Sequence, residues 1–520
     1  MLNLADGPTA PTATRTRSSP WTDVLMILVS VLVSIVAAEG IVRFINGQPL
    51  FAFPLPDPVG TATVKAEQLD SVPRAAGVDR AWFFSDPPPL PNRAEPPKGW
   101  TELFNYLQAH PSDTNEFQPT DVFKVWNSAF AGDPCKHRFL RSAPGQLYLY
   151  DPVDGQPSPP YRFYPNVTLP DRLVTNQIGW RGPPIEVPRG PKTVRIVFVG
   201  SSTVVDGHWS PYSYPEFVGH WLNLWAASKH LDVRFEVLNS ARESNVSTDL
   251  ANIVHKEVLP LRPDLVVYYE GGNQFRLESI IDKTPESKPA RPPGSEGNVS
   301  PAWLREAARY SALLGRVQAA IGLTASDIDG REWPKPDYNI VWPKGLDEQD
   351  PDLAYPRLPV SLSVIQFDLD TIRADLATVG SDFALSSFAW MVKDGLVLDP
   401  VRHKYIIEQL NVGNYPYRYR DLERLVKFEN RVFAKYAKVH DIPFVDVAGQ
   451  LPLDPDLFLD AVHTSYSGTR LRGWINLQAL IPVIERHLAD GSWPRPPGPE
   501  RPLPTFTPRK VEFSCAKSPQ

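Results

Sequence analysis

Cysteine is almost missing from this chain: Cys135 and Cys515 are the only two in 520 residues. At most one disulfide is possible, and in an oxidising compartment it would tie the C-terminal tail to the 46–174 region; two unpaired thiols fit the sequence equally. Cys135 and His137 are too small a cluster for zinc, and His208, His220 and His255 lack metal-ligand partners at usable spacing. They are read as surface or core-edge histidines. Walker-type and G-x-G-x-x-G motifs are absent after every expected strand, so phosphate cofactors are not indicated. No basic stripe with interleaved aromatics occurs, and 53 Lys and Arg against 59 Asp and Glu leave a net charge of -6. That balance argues against a nucleic-acid partner. Internal repeats are also absent.

Proline, by contrast, is abundant, with 57 residues. It crowds 48–190 and 491–508, stretches that should wrap over surfaces more than build regular elements. With 42% hydrophobic and 22% charged residues the composition is that of a globular protein. Near the N-terminus Val24–Ala38 carries no charge, and the apolar run resumes from Gly40 to Val42. Its length approaches the ~20 residues that cross a bilayer. An uncleaved signal anchor is favoured over a cleaved signal peptide, because no small-x-small cleavage site follows cleanly. Arg15 and Arg17 precede the span and Arg43 follows it, which places the N-terminus in the cytoplasm and the remainder outside. The expectation is a single-pass inner-membrane protein whose larger part faces the periplasm or the exterior. Glu39 and Arg43, four apart, are expected to pair at the membrane boundary as snorkelling interfacial residues.

Five β-rich runs follow: Val194–Val199, Val233–Leu238, Asp264–Tyr269, Phe383–Ala389 and Ile442–Val447. Helix-like stretches separate them, including Tyr214–Lys229, Asp249–Leu259 and Tyr419–His440. Such alternation predicts a three-layer α/β/α fold with a parallel sheet, whose site lies at the carboxyl ends of the strands. The expected organisation is a tail (1–23), the anchor (24–45), a Pro- and aromatic-rich accessory region (46–174) and an α/β domain (175–490). Within the last, 276–380 reads as an insertion, and excursions of this kind often serve as substrate lids or partner surfaces. Residues 491–520 form a proline-rich tail. In the accessory region only Trp100–Ala109 has a helix-like pattern.

Chemistry-bearing residues fall at the strand ends. Ser202 follows the first strand on a turn into a helix, where its hydroxyl can be exposed. Asp460 and His463 share one late segment, spaced so that the carboxylate can fix the imidazole tautomer. Asn273 closes the third strand and offers a side-chain N–H. Taken singly, each has an ordinary explanation as a cap, a turn residue or a chance D-x-x-H; their conjunction at strand ends points to nucleophilic acyl transfer.

That order of blocks resembles the SGNH hydrolases, or GDSL esterase/lipase superfamily, over roughly 175–486. Gly200-Ser201-Ser202-Thr203 is similar to the G-D-S-x block, and Gly271-Gly272-Asn273-Gln274 to the G-x-N-D block. Asn239–Ser244 is similar to the second block, whose glycine falls at Ser244. Asn176–Gly182 resembles the N-x-x-G-[FW]-R-G lead-in of membrane-anchored bacterial members. The resemblance implies Ser202 as nucleophile, Asp460 and His463 as its triad, and an oxyanion hole from Ser202, Ser244 and Asn273, with no cofactor. It departs at Ser201, where the family has Asp; at Ser244, where it has Gly; and at Gln274, where a buttressing Asp is usual. The implied function is a membrane-anchored serine esterase acting on acyl, chiefly O-acetyl, esters of envelope glycans or lipids. A polysaccharide O-acyltransferase using the same triad is one alternative, and a catalytically silent glycan- or partner-binding domain is another.

Overall fold

In the computed structural model, residues 20–45, 64–90, 173–206, 210–283, 301–321, 330–400 and 402–496 are described, with isolated positions at 50, 162–163, 165–166, 168, 323, 498 and 503. Both cysteines, His208 and the Trp100–Ala109 patch lie outside the described residues.

Five parallel strands form one sheet: β1 (Thr193–Gly200), β2 (Arg234–Asn239), β3 (Leu265–Tyr269), β4 (Asp382–Ser386) and β5 (Phe444–Val445), in the order β2-β1-β3-β4-β5. Strands β1 and β3 are rich in β-branched and aromatic residues and buried along their whole length, as a sheet covered on both faces requires, with the one charged side chain, Arg195, paired to Glu236. The expected parallel α/β sheet is therefore the observed architecture. Two of the strands are shorter than their apolar runs. β4 ends at Ser386, three residues before the end of the Phe383–Ala389 run, and β5 keeps only two residues of Ile442–Val447. Pro443 has no N–H for a ladder, and Asp446 turns away to cap the next turn, its Oδ1 accepting from Gly449 N at 3.0 Å.

Around the central strand run α1 (Ser202–Val205) and α2 (Tyr214–Ser228), then α3 (Ser247–Ile253), α4 (Leu362–Thr378), α5 (Tyr419–Val439) and α6 (Tyr466–Ala489). α2 packs against α6 on one face. α4 packs against α3 on the other and is joined to α5 by the Tyr436 hydroxyl on Asp370, 2.7 Å. α5 shows why a helix forms there: its buried positions Leu422, Leu425, Val426, Phe428, Val432, Phe433 and Tyr436 recur every three to four residues. The reversal of strand order between β2-β1 and β1-β3 opens a crevice at the carboxyl ends of β1 and β3, where the first and third sequence blocks lie.

The 276–380 insertion is not one body. Residues 330–361 are strapped to α5: Arg424 pairs with Glu348 at 2.6 Å, and the Tyr338 hydroxyl donates to Asp421 at 2.6 Å. Residues 301–321 group instead with 20–45 in a separate compact unit. There, Pro20–Ile45 is one helix, long and apolar enough to cross a membrane, and helices Ala302–Tyr310 and Ala312–Ala320 accompany it. Glu39 and Arg43 do pair, at 2.6 Å, but snorkelling does not describe them. Glu39 also accepts from Ser311 Oγ at 2.8 Å and from the amides of Ala312 and Leu313 at 2.9 Å, capping the second short helix. Arg43, 3% exposed, donates to the Tyr310 carbonyl at 2.9 Å. A helix N-terminus leaves unpaired amides and a partial positive charge, and a carboxylate brought there satisfies both.

Candidate active site

β1 ends at Gly200, where any Cβ would sit 2.4 Å from the Tyr269 carbonyl and 2.2 Å from a Val204 methyl. Only glycine lets β1 and β3 approach so closely while the chain turns. Ser202 then opens α1, a single turn stopped by Asp206 in the left-handed conformation at φ 60°. The turn is braced from outside. Arg181, from the Asn176–Gly182 lead-in, donates to the Val205 carbonyl at 2.8 Å and the Ser210 carbonyl at 2.7 Å, and pairs with Glu216 at 3.1 Å. Asp206 in turn pairs with the fully buried Arg472 of α6. Asn176 holds the lead-in loop by accepting from the amides of Ile178 (3.2 Å) and Trp180 (3.0 Å).

His463 arrives just before α6, after the helical turns Val447–Gln450 and Pro455–Leu457 that follow β5, and 261 residues after Ser202. Its Nε2 lies 2.7 Å from Ser202 Oγ, and its Nδ1 lies 2.7 Å from Asp460 Oδ2. The second carboxylate oxygen of Asp460 accepts from the amides of His463 at 2.7 Å and Val462 at 2.9 Å, which fixes both carboxylate and ring. The loop is fastened to the sheet side by Met391 N donating to the Ala461 carbonyl at 2.7 Å. Burial favours the neutral imidazole, but the adjacent Asp460 carboxylate outweighs it and raises the His463 pKa above its ordinary 6.5. Burial likewise works to raise Asp460, yet His463 beside it holds that carboxyl below 3.8. With Asp460 accepting at Nδ1, Nε2 is the lone-pair nitrogen facing the Ser202 hydroxyl.

Asn273 sits just past β3. Its Nδ2 donates to the Asn245 carbonyl at 2.8 Å, which uses one of two N–H bonds and leaves the other. Ser244, just before Asn245, has φ 61°, in the left-handed region where a Cβ is strained. That angle explains why glycine suits the position. Gln274 stands where the resemblance expects a buttressing Asp. Its Oε1 accepts from Ser247 N at 2.7 Å and its Nε2 donates to Ser247 Oγ at 2.8 Å, while Ser247 Oγ donates to Asp368. The third block is thus tied to the start of α3 and to α4.

Sequence reasoning missed several residues. Glu270, buried at the end of β3, accepts from the Asn273 amide at 2.8 Å and from the Ser201 hydroxyl. Nothing in the local pattern marks it, since it reads as the polar end of a strand. Arg181 stands inside the lead-in motif, which by itself gives the side chain no role, and Arg472 belongs to a long helix with no motif at all. Of the remaining histidines, His220 lies 3.0 Å from Ser85 Oγ and His255 lies 3.0 Å from Asp375. Among the described residues, no three His, Cys, Asp or Glu side chains group as a metal site.

No protein-family model and no curated protein matches the chain. Solved structures do overlap it in part. One is an acetylxylan esterase from Geobacillus stearothermophilus, at 16% identity over 55% of this chain and 94% of that one, with a TM-score of 0.30. Another is a lipase/acylhydrolase from Enterococcus faecalis, at 16% identity over 55% and 94%, with a TM-score of 0.28. A third is a GDSL-like lipase from Bacteroides thetaiotaomicron, at 12% identity over 56% and 89%, with a TM-score of 0.27.

Proposed function

We propose that this chain is a serine esterase of the SGNH type, carried on an N-terminal membrane helix. The observation that supports it above all others is the continuous relay Ser202 Oγ to His463 Nε2, 2.7 Å, and His463 Nδ1 to Asp460, 2.7 Å. A hydroxyl is a poor nucleophile until a base takes its proton as the bond forms. His463 is within hydrogen-bond reach of that proton, and Asp460 holds the tautomer that can accept it and stabilises the resulting imidazolium. Ser202 attacks the ester carbonyl; the alcohol leaves with the proton from His463; water, deprotonated by the same imidazole, then releases the acid from the acyl-serine. The developing oxyanion is met by the Ser202 and Ser244 amides and the second side-chain N–H of Asn273.

The helix Pro20–Ile45 serves in this reading as an uncleaved anchor of the inner membrane, with the α/β domain on the periplasmic or extracellular side. Substrates are acyl esters, chiefly O-acetyl, on envelope glycans or lipids that such a tethered domain meets. A serine-directed fluorophosphonate and p-nitrophenyl acetate test the chemistry. Wild type should label and hydrolyse, and Ser202→Ala should do neither. Absence of wild-type labelling, or equal labelling of Ser202→Ala, defeats the reading. Transfer of the acyl group to an added glycan in place of water would identify an acyltransferase on the same site.

A further inference from the structure

Beneath the site lie two carboxyl groups that the reaction does not use. Glu270 is 1% exposed, with Oε1 receiving the Asn273 amide at 2.8 Å and Oε2 receiving the Ser201 hydroxyl. It therefore joins the residue before the nucleophile to the residue that offers the oxyanion N–H. Glu429, from α5, is fully buried, and neither of its oxygens has a hydrogen-bond partner among the described residues. It lies against the loop between them: a Cβ on Gly271 would be 2.8 Å from Glu429 Oε1.

Position 201 is where the resemblance places an Asp, and the structure holds a serine there that points its hydroxyl at Glu270. We propose that Glu270 is a positioning residue that supplies, from the end of β3, the carboxylate that the related pattern supplies from position 201. The carboxylate has changed sides of the same junction, and the serine is its complementary donor. This deepens the esterase reading and rests on it. Two buried acids so near cannot both be charged without a cation, and no cation bonds either one among the described residues. Glu429, which has no donor to stabilise a charge, is the protonated member. Burial raises the Glu270 carboxyl, and the Asn273 amide, the Ser201 hydroxyl and the Gly272 and Gly271 amides hold the rise to about 6, so that it keeps its charge at neutral pH.

A swap of the two positions tests this. Glu270→Leu removes the tie and should lower kcat on p-nitrophenyl acetate about 10- to 100-fold with KM within threefold, because a loosened oxyanion loop harms the transition state more than binding. Ser201→Asp sets a second acid against Glu270 and should cost at least tenfold in kcat and lower the Tm. In the double variant Ser201→Asp with Glu270→Gln, the new amide can donate to the introduced carboxylate while its oxygen receives the Asn273 N–H. There kcat and Tm should both recover to within about threefold and a few degrees of wild type. Losses that simply multiply, or a Glu270→Leu kcat within twofold of wild type, overturn the proposal. Should Glu270→Leu not fold, the Ser201→Asp pair decides alone. The Tm arm needs no turnover, so an inactive wild type would defeat the esterase reading while the recovery of stability still judged this one.

Discussion

Arg181 Nη1 donates to the carbonyl of Val205 at 2.8 Å, so a residue of the loop preceding β1 closes the C-terminal end of the helical turn that Ser202 opens. The same guanidinium neutralises Glu216 and reaches the Ser210 carbonyl. Arg181→Ala leaves Glu216 without this cation and two carbonyls short of a donor, at a cost of about 3–5 kcal/mol. Arg181→Lys retains charge but not the three-way fork and should recover only part of that. Urea unfolding would read both, and a stability change below about 1 kcal/mol for Arg181→Ala would refute the bracing role.

His463 must be neutral to accept the Ser202 proton. Its pKa is raised, so protonation removes the base as pH falls through a value above 6.5, and kcat/KM for p-nitrophenyl acetate should fall along an acid limb there. Asp460→Asn withdraws the raising charge and frees the tautomer. The limb should then move to lower pH while kcat drops by about 10^3 to 10^4. A limb that stays in place in Asp460→Asn would show that another group sets it.

Ser244 spends backbone energy to hold φ 61°. Ser244→Gly relieves that strain, roughly 1 kcal/mol, but loosens the unfolded chain by a similar amount, so stability should change by less than about 0.5 kcal/mol with kcat/KM unchanged or higher. Ser244→Val forces a β-branched residue into the same angle and should destabilise by more than about 1 kcal/mol. Equal stability of the two variants would mean that the angle is not what the position selects.

Burial above all, and the charge of Glu270 beside it, hold the Glu429 carboxyl well above 4.5 in the folded chain. The folded protein therefore keeps a proton that the unfolded chain gives up. Its contribution is fully favourable below about pH 4.5 and is lost as pH rises through the raised folded value. Glu429→Gln cannot titrate, so from pH 5 to 8 the variant should lose less stability than wild type in denaturant titrations. Parallel loss in the two proteins would show Glu429 to be ionised throughout.

Hydrophobic runs and helical periodicities sufficed to write down the parallel sheet, because a strand buried on both faces is apolar along most of its length, as β3 is throughout and β1 is apart from Thr193 and the paired Arg195. Block spacing likewise singled out Ser202, Asn273, Asp460 and His463, since each lies where a strand end or its following loop must deliver it. The 2.7 Å contact across 261 residues was beyond the sequence, because it depends on how the loop before α6 returns from the β5 edge of the sheet to the end of β1. So was Glu270: a buried carboxylate is specified by its donors, and those come from Ser201 and the Gly271–Asn273 loop, brought together only when β1 and β3 pair. Glu39 shows the same limit, for its pairing with Arg43 follows from helical spacing, while its capping of residues 311–313 requires a segment 272 positions away to arrive. Local pattern fixes what a residue can donate or accept, and the packed chain decides which partner is there to meet it.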